Sequence, residues 1–546
     1  MGLERLGPLN ACSEKKQLSR EGQHRGGAGT GEDDGQDLSE WGHVLPKVLD
    51  SVLQALADHE AVIFLPSARL VNRNWHQWAT HAVKVLDLKV TEPYAKMDRF
   101  ARQACTLRKG ERIENVIKSC PALESLILEG AEDTHLPMLQ RFSQLRQLKL
   151  LNGTCSGVTN GGMTHVAAMT GLVGLELQLA SNLTAQGVRA LVTLTCLLSL
   201  NLSWCYALTD ECVATLCQLP TLTDLKLNGC DKISDLGIAH LSEMPRLMRL
   251  ALLREQHRDG PFSNKGAMTL GTMTVLVALN IKSCSGVNDA GVAHFQSLTN
   301  LIELHLPQDV SDRGLAVLSS LTAIGHLSLW RCGAITNEGL ILLQQFSKLA
   351  KLEIVSCRGI SNWGMGMVGR LTYLKDLTLE GLPINDDGID ELSALTGLKK
   401  LSLASTRELR SNGTRRLSGL SALEILDLSG CKGMSDVGVW WLSSLVGLKE
   451  LHLNGCPQVT NHCVKGLLAM PLLTKLDLAM CTKLTDEGMV MIARLTSLAD
   501  LDLGGCFKIT NAGVGHLARL RFLSHVNVVG CPLVSLGSGA LLRRWQ

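Results

Sequence analysis

The stretch Leu448-Lys449-Glu450-Leu451-His452-Leu453-Asn454-Gly455-Cys456-Pro457-Gln458-Val459-Thr460-Asn461 decides the fold. Leu451 and Leu453 stand two apart, the spacing that sends both side chains to one face of a strand, with Leu448 leading in. Asn454-Gly455-Cys456-Pro457 then turns the chain. Thr460-Asn461 opens a helix whose apolar stripe is Val464, Leu467 and Leu468, and Met470-Pro471 closes it. A strand, a turn and one short helix cannot bury their own apolar face, but stacked copies can.

The copies are present. The spacing Leu-x-x-Leu-x-Leu recurs seventeen times between Leu123 and Leu523, mostly in steps of 25 residues. One step of 29 residues contains the polar segment Arg254 to Lys265, where extra length becomes a loop. The product expected is an α/β solenoid with a parallel inner sheet, outer helices and a long concave surface.

Two further features recur in register. Ser/Thr-Asp/Asn-x-Gly stands at Ser234–Gly237, Ser311–Gly314, Ser435–Gly438, Thr485–Gly488 and Thr510–Gly513. The hydroxyl suits a free N–H of the helix's first turn, and the Asp suits the positive end of the dipole. The Gly is expected to let the helix sit close to its neighbour. Ten of the eighteen cysteines (Cys205, Cys230, Cys284, Cys332, Cys357, Cys431, Cys456, Cys481, Cys506 and Cys531) fall three residues after the third Leu. A small, weakly donating thiol fits an inward turn position there and can bond a neighbouring backbone carbonyl. Parallel side chains make poor disulfides, and a one-dimensional ladder makes no tetrahedral metal cage.

Composition narrows the classes. The 546 residues are 45% hydrophobic, 4% aromatic and 19% charged, with net charge +2, so the core is aliphatic and bulk attraction to a polyanion is not expected. No apolar run approaches the ~18 residues of a membrane span. The first residues lack a signal core, so the cysteines are expected to be reduced thiols in the cytoplasm or nucleus. Basic residues between Lys96 and Lys118 lack interleaved aromatics and read as a solvated surface rather than a nucleic-acid site. His165, His240, His294 and His516 recur seven residues before a repeat's first Leu, a tolerated helix position rather than a general base. No phosphate-cradling loop, His-Glu-x-x-His or paired Cys-x-x-Cys is present. No catalytic residue, cofactor or metal is therefore expected.

Residues such as Leu426-Asp427-Leu428-Ser429-Gly430-Cys431 and Leu501-Asp502-Leu503-Gly504-Gly505-Cys506 resemble the cysteine-containing subclass of leucine-rich repeats, and the resemblance spans roughly 113–535. The chain before the array divides into a Gly-rich, charged tail over 1–40, expected to be disordered, a helical segment over 41–82, and a connecting region over 83–122 with Val85–Leu88 as a leading strand. The solenoid proper is assigned to 123–546. Leu45-Pro46 with Val71-Asn72-Arg73-Asn74-Trp75 resembles an F-box, although Lys47 and Val48 replace the usual acidic residue. That resemblance implies a substrate receptor of a cullin–RING ubiquitin ligase, with Leu45, Pro46, Leu49, Leu53, Val71 and Trp75 at adaptor-facing or core positions and the repeats holding a target protein. The alternative is a repeat scaffold without a ligase role. A small-molecule sensor, as in large plant F-box receptors, finds no basic pocket here.

Residues between the leucines face the concave side, which maps Trp204, Arg254, Trp330 and Arg331 to strand ends and His305 and Glu353 to mid-strand. Trp and Arg are the types enriched at binding hot spots. Trp330-Arg331 with His305 and Glu353 is the expected recognition patch. Asp427, Asp477, Asp500 and Asp502 form an acidic strip toward the C-terminus, read as a solvated face.

Overall fold

The computed structural model describes residues 85–88, scattered positions between 110 and 120, and 122–151, 157–254 and 262–535. The tail, the 41–82 segment with all six F-box positions, the loop residues 255–261 and the end of the chain from 536 lie outside the described residues.

Among the described residues, eighteen strands, from Val85–Leu88 to His525–Asn527, form one parallel sheet in chain order. Val85–Leu88 pairs with Ser125–Glu129, so the array begins one strand before the first full repeat. Register is in phase throughout: Leu327 faces Leu304 on one side and Leu352 on the other, and the same inward row runs from Leu126 to Val526. All seventeen residues of that row are buried. A buried Leu contributes about 1.5–3 kcal/mol, and consecutive repeats share the burial, so each stabilises the next. The described α-helices on the other side, from Leu136 on, run only four to eight residues, too short to persist alone. Packing against neighbouring helices holds them.

Two hydrogen-bond ladders tie the repeats together. In the first, each of the ten periodic thiols donates to a backbone carbonyl of the preceding repeat at 3.1–3.5 Å. Burial pushes thiols such as Cys205 and Cys506 up to about 12, so they remain protonated donors. Thr406 takes the same place and bonds Leu379 O at 3.3 Å.

The second ladder gives the Ser/Thr-Asp/Asn-x-Gly motif a larger role than helix capping. Asp312 reaches forward to the next repeat, accepting from Thr336 N at 2.8 Å and from Thr336 Oγ1 at 2.7 Å. Gly339 makes room for it, since a Cβ there would collide with Asp312 Oδ1. Whether the hydroxyl caps its own helix depends on the residue in the preceding slot. Where that is Asp, the hydroxyl gives its proton away and keeps a lone pair for the helix N–H. Thr159, Ser234, Ser263, Ser311, Thr336, Thr460 and Thr510 all cap in this way. Where it is Asn, the amide Nδ2 donates to the hydroxyl instead, as Asn160, Asn337 and Asn461 do, and Thr184, Ser361 and Thr485 make no cap bond. Ser435, paired with Ser411 Oγ at 2.7 Å, also fails to cap.

Candidate functional site

On the open face of the sheet, the strands Glu303–Leu306, His326–Trp330 and Lys351–Val355 bring together four of the residues expected to recognise a partner. In the middle row, His305, Ser328 and Glu353 are register partners. In the row before it, Glu303, His326 and Lys351 are register partners. Trp330 ends its strand in the row beyond Ser328.

Charge organises the patch. Glu303 Oε1 lies 2.9 Å from His305 Nε2 and 3.4 Å from His326 Nδ1. The other ring nitrogen of His326 stands 3.3 Å from Glu353 Oε1, which Lys351 Nζ holds at 2.7 Å. Arg249, two strands away, reaches Glu303 Oε2 at 3.6 Å across the small Ala278. Hydrogen bonds from His305 and His326 hold the Glu303 carboxyl well below the usual carboxylate range, against the opposing effect of burial. Burial works against charge on His326, but bonds to Glu303 and Glu353 outweigh it and raise its pKa. Burial likewise opposes ionisation of Glu353, and His326 and Lys351 overcome it. The two imidazole rings meet edge to face at 4.7 Å.

Next to this network the Trp330 ring carries two cations, the Arg331 guanidinium at 4.4 Å and Lys282 Nζ at 4.8 Å. Each such contact is worth about 0.5–1 kcal/mol at a partly exposed site. Arg331 sits at φ +57, the left-handed turn position, which sends its side chain back over the ring of the preceding residue. Arg331 is exposed and Trp330 half-buried. An aromatic plane flanked by cations and bordered by half-buried carboxylates presents a flat apolar surface with polar groups fixed around it.

Two expected site residues lie elsewhere. Trp204, also in a left-handed turn, lays its ring on Gly229 of the next repeat, where any Cβ would meet it. Arg254 is corrected outright: it is only 8% exposed. Its guanidinium donates to the carbonyls of Asp231 at 3.0 Å and Ile233 at 2.6 Å, and so closes the turn of the preceding repeat. A guanidinium has five donors, and turn carbonyls left open by the repeat geometry satisfy two of them inside the structure. The residue that reading missed is His326. It stands just before the inward Leu327, at a position not counted among those between the leucines; a two-residue step back from Ser328 on the same face would have found it.

The acidic strip is also more than a solvated face. Asp427, Asp477 and Asp502 accept from the backbone N–H two residues on, Ser429, Ala479 and Gly504, at 2.8–2.9 Å. Among the described residues, no helix is long and apolar enough to cross a membrane.

A family model described as Leucine Rich repeat matches residues 218–242 and 469–493. With the parallel sheet and flanking helices, the fold is a leucine-rich-repeat solenoid. No curated protein matches the chain in sequence. Among solved structures, an internalin of Listeria monocytogenes is 18% identical, covering 77% of this chain and 94% of that one at TM-score 0.34. A leucine-rich-repeat protein of Leptospira interrogans is 18% identical, covering 76% and 92% at TM-score 0.35. A yeast complex of Rad7 and Elc1 gives 16% identity, covering 88% and 96% at TM-score 0.41.

Proposed function

We propose that this chain is a non-catalytic protein-recognition subunit, in which the repeats hold a target protein and residues 41–82 bind the adaptor of a cullin–RING ubiquitin ligase. The observation that carries the recognition half is the Lys282–Trp330–Arg331 stack on the open face. Held in place by its neighbours, it offers an amphipathic anchor that loses little freedom on binding. The ligase half is supported by Leu45-Pro46 and Val71-Asn72-Arg73-Asn74-Trp75, which fill the F-box slots in the sequence. Catalysis then belongs to other subunits. The reading without a ligase role keeps the same docking face and dispenses with the adaptor.

Co-purification with the isolated adaptor subunit separates the two. Deleting 41–82, or Trp75→Ala with the repeats still folded by circular dichroism, is expected to abolish adaptor binding. An intact chain that never retains the adaptor leaves the scaffold reading alone. Trp330→Ala with Arg331→Ala is expected to leave adaptor binding unchanged and to weaken target capture at least tenfold.

A further inference from the structure

The open-face network contains a donor set with a chemistry of its own. Glu303, His305 and His326 each offer a ligand atom, and the three atoms lie within 4.8 Å of one another. Glu303 Oε1 is already within 2.9 Å of His305 Nε2 and 3.4 Å of His326 Nδ1, so small side-chain rotations bring all three to the ~2.0–2.2 Å that a zinc-like ion needs. From these positions we propose a binding site for a divalent transition metal of zinc type, with Glu303, His305 and His326 as ligands.

Two observations around the triad point the same way. The nitrogen of His326 that faces away from Glu303 stands 3.3 Å from the Glu353 carboxylate, which Lys351 anchors. A ligating histidine characteristically gives its second ring N–H to a carboxylate, which fixes its tautomer and raises its basicity as a ligand. Arg249 approaches the other oxygen of Glu303, leaving Oε1 turned toward the imidazoles. Beneath them Ser328, register partner of His305 and Glu353, is fully buried. Two imidazoles and one carboxylate match the softness of zinc, cobalt or nickel better than that of calcium or magnesium. Three protein ligands leave a fourth position for water or for a donor from outside the chain. The binding itself does not depend on the docking role proposed above.

The test uses the full chain, stripped with chelator and titrated with Co²⁺ while visible absorption is followed. The expected result is one saturable equivalent with d–d bands and no thiolate charge-transfer band, displaced by Zn²⁺. His305→Gln with His326→Gln should abolish it. Glu303→Gln, nearly the same shape and retaining both imidazoles, should weaken it at least tenfold, and Glu353→Gln should weaken it about 10–100-fold through His326. Circular dichroism confirms that each variant keeps the repeat fold. Binding unchanged in Glu303→Gln, a charge-transfer band showing that the cysteines take the metal, or no saturable binding at all overturns the proposal and leaves the cluster an ion-pair network.

Discussion

The strands at the centre of the array and those at its C-terminal end share one core and differ on the open face. His326–Trp330, Lys351–Val355 and Asp376–Glu380 each run five residues. Ile425–Asp427, Lys475–Asp477, Asp500–Asp502 and His525–Asn527 run three. The middle-row residue accounts for part of the contrast. In these four C-terminal strands it is Asp or Asn, whose side chain takes the N–H two residues on and turns the backbone out of the ladder, while Glu450–His452 between them ends after three residues with a histidine in that row. At the centre it is Ser328, Glu353 or Thr378, none of which closes that bond, and the ladder runs on to Trp330, Val355 and Glu380; Lys226 and Ala251, which have no acceptor, still end three-residue strands. The longer strands carry a third row of side chains, and that row includes the aromatic anchor. Asn201 and Asn280 close turns in the same way and end three-residue strands of their own.

The contrast should be absent from the core. Leu329 and Leu478, both fully buried, should each cost about 2–5 kcal/mol when replaced by Ala. Denaturant unfolding that found one of them nearly free would show the two regions to be held differently. The ladder on the helix side should come next. Asp312→Ala at the centre and Asp486→Ala near the C-terminus each remove an acceptor from a buried-side N–H and a hydroxyl, at about 1–3 kcal/mol. Asp→Asn at either place should cost less, about 1 kcal/mol, by taking the lone pair that caps the next helix. Faster amide exchange at Glu338 and Ala512 would report the lost caps.

The open face itself should respond more weakly. Asp477→Ala frees the Ala479 N–H and is expected to cost about 0.5–1.5 kcal/mol. Thr378→Asn is the converse: it should close a turn at Glu380 and shorten its strand, seen as faster amide exchange at Gly381. Unchanged exchange would show that an Asn in the middle row does not by itself end the strand. The smallest effect is a pH dependence at the C-terminal end. His452 has its pKa raised by Asp477, with burial opposing. Asp477 is pushed up by burial but held low on balance by His452 and the Ala479 N–H. A raised His contributes fully below its unfolded value of about 6.5 and loses that contribution as pH climbs through the folded value. A depressed Asp contributes above about 3.9 and loses its share as pH falls through the folded value. The pair therefore supports the fold most between about pH 4 and 6.5. The stability gap between the wild type and His452→Gln should be widest near pH 5 and should narrow by pH 8.5.

Much of this was legible one repeat at a time. The two-residue spacing of Leu451 and Leu453 gives the strand, and the small thiol of Cys456 identifies an inward donor that does bond a carbonyl of the repeat before it. Glycines such as Gly314 were readable as close approaches, though not as seats for the preceding Asp. His326 was missed and Arg254 misplaced for a common reason. Their roles depend on groups 21 to 27 residues away, Ile233 and Asp231 for Arg254 and Glu303 and Glu353 for His326, and a pattern within one repeat says nothing about which neighbour a side chain meets.

Periodicity alone determined the parallel sheet, its inward leucines and its thiol ladder, because each follows from a spacing that every copy repeats. The caps, the strand lengths and the histidine–glutamate cluster came only with the tertiary structure. They depend on differences between adjacent copies, and the register of the sheet is what lays one copy's variable residues beside the next.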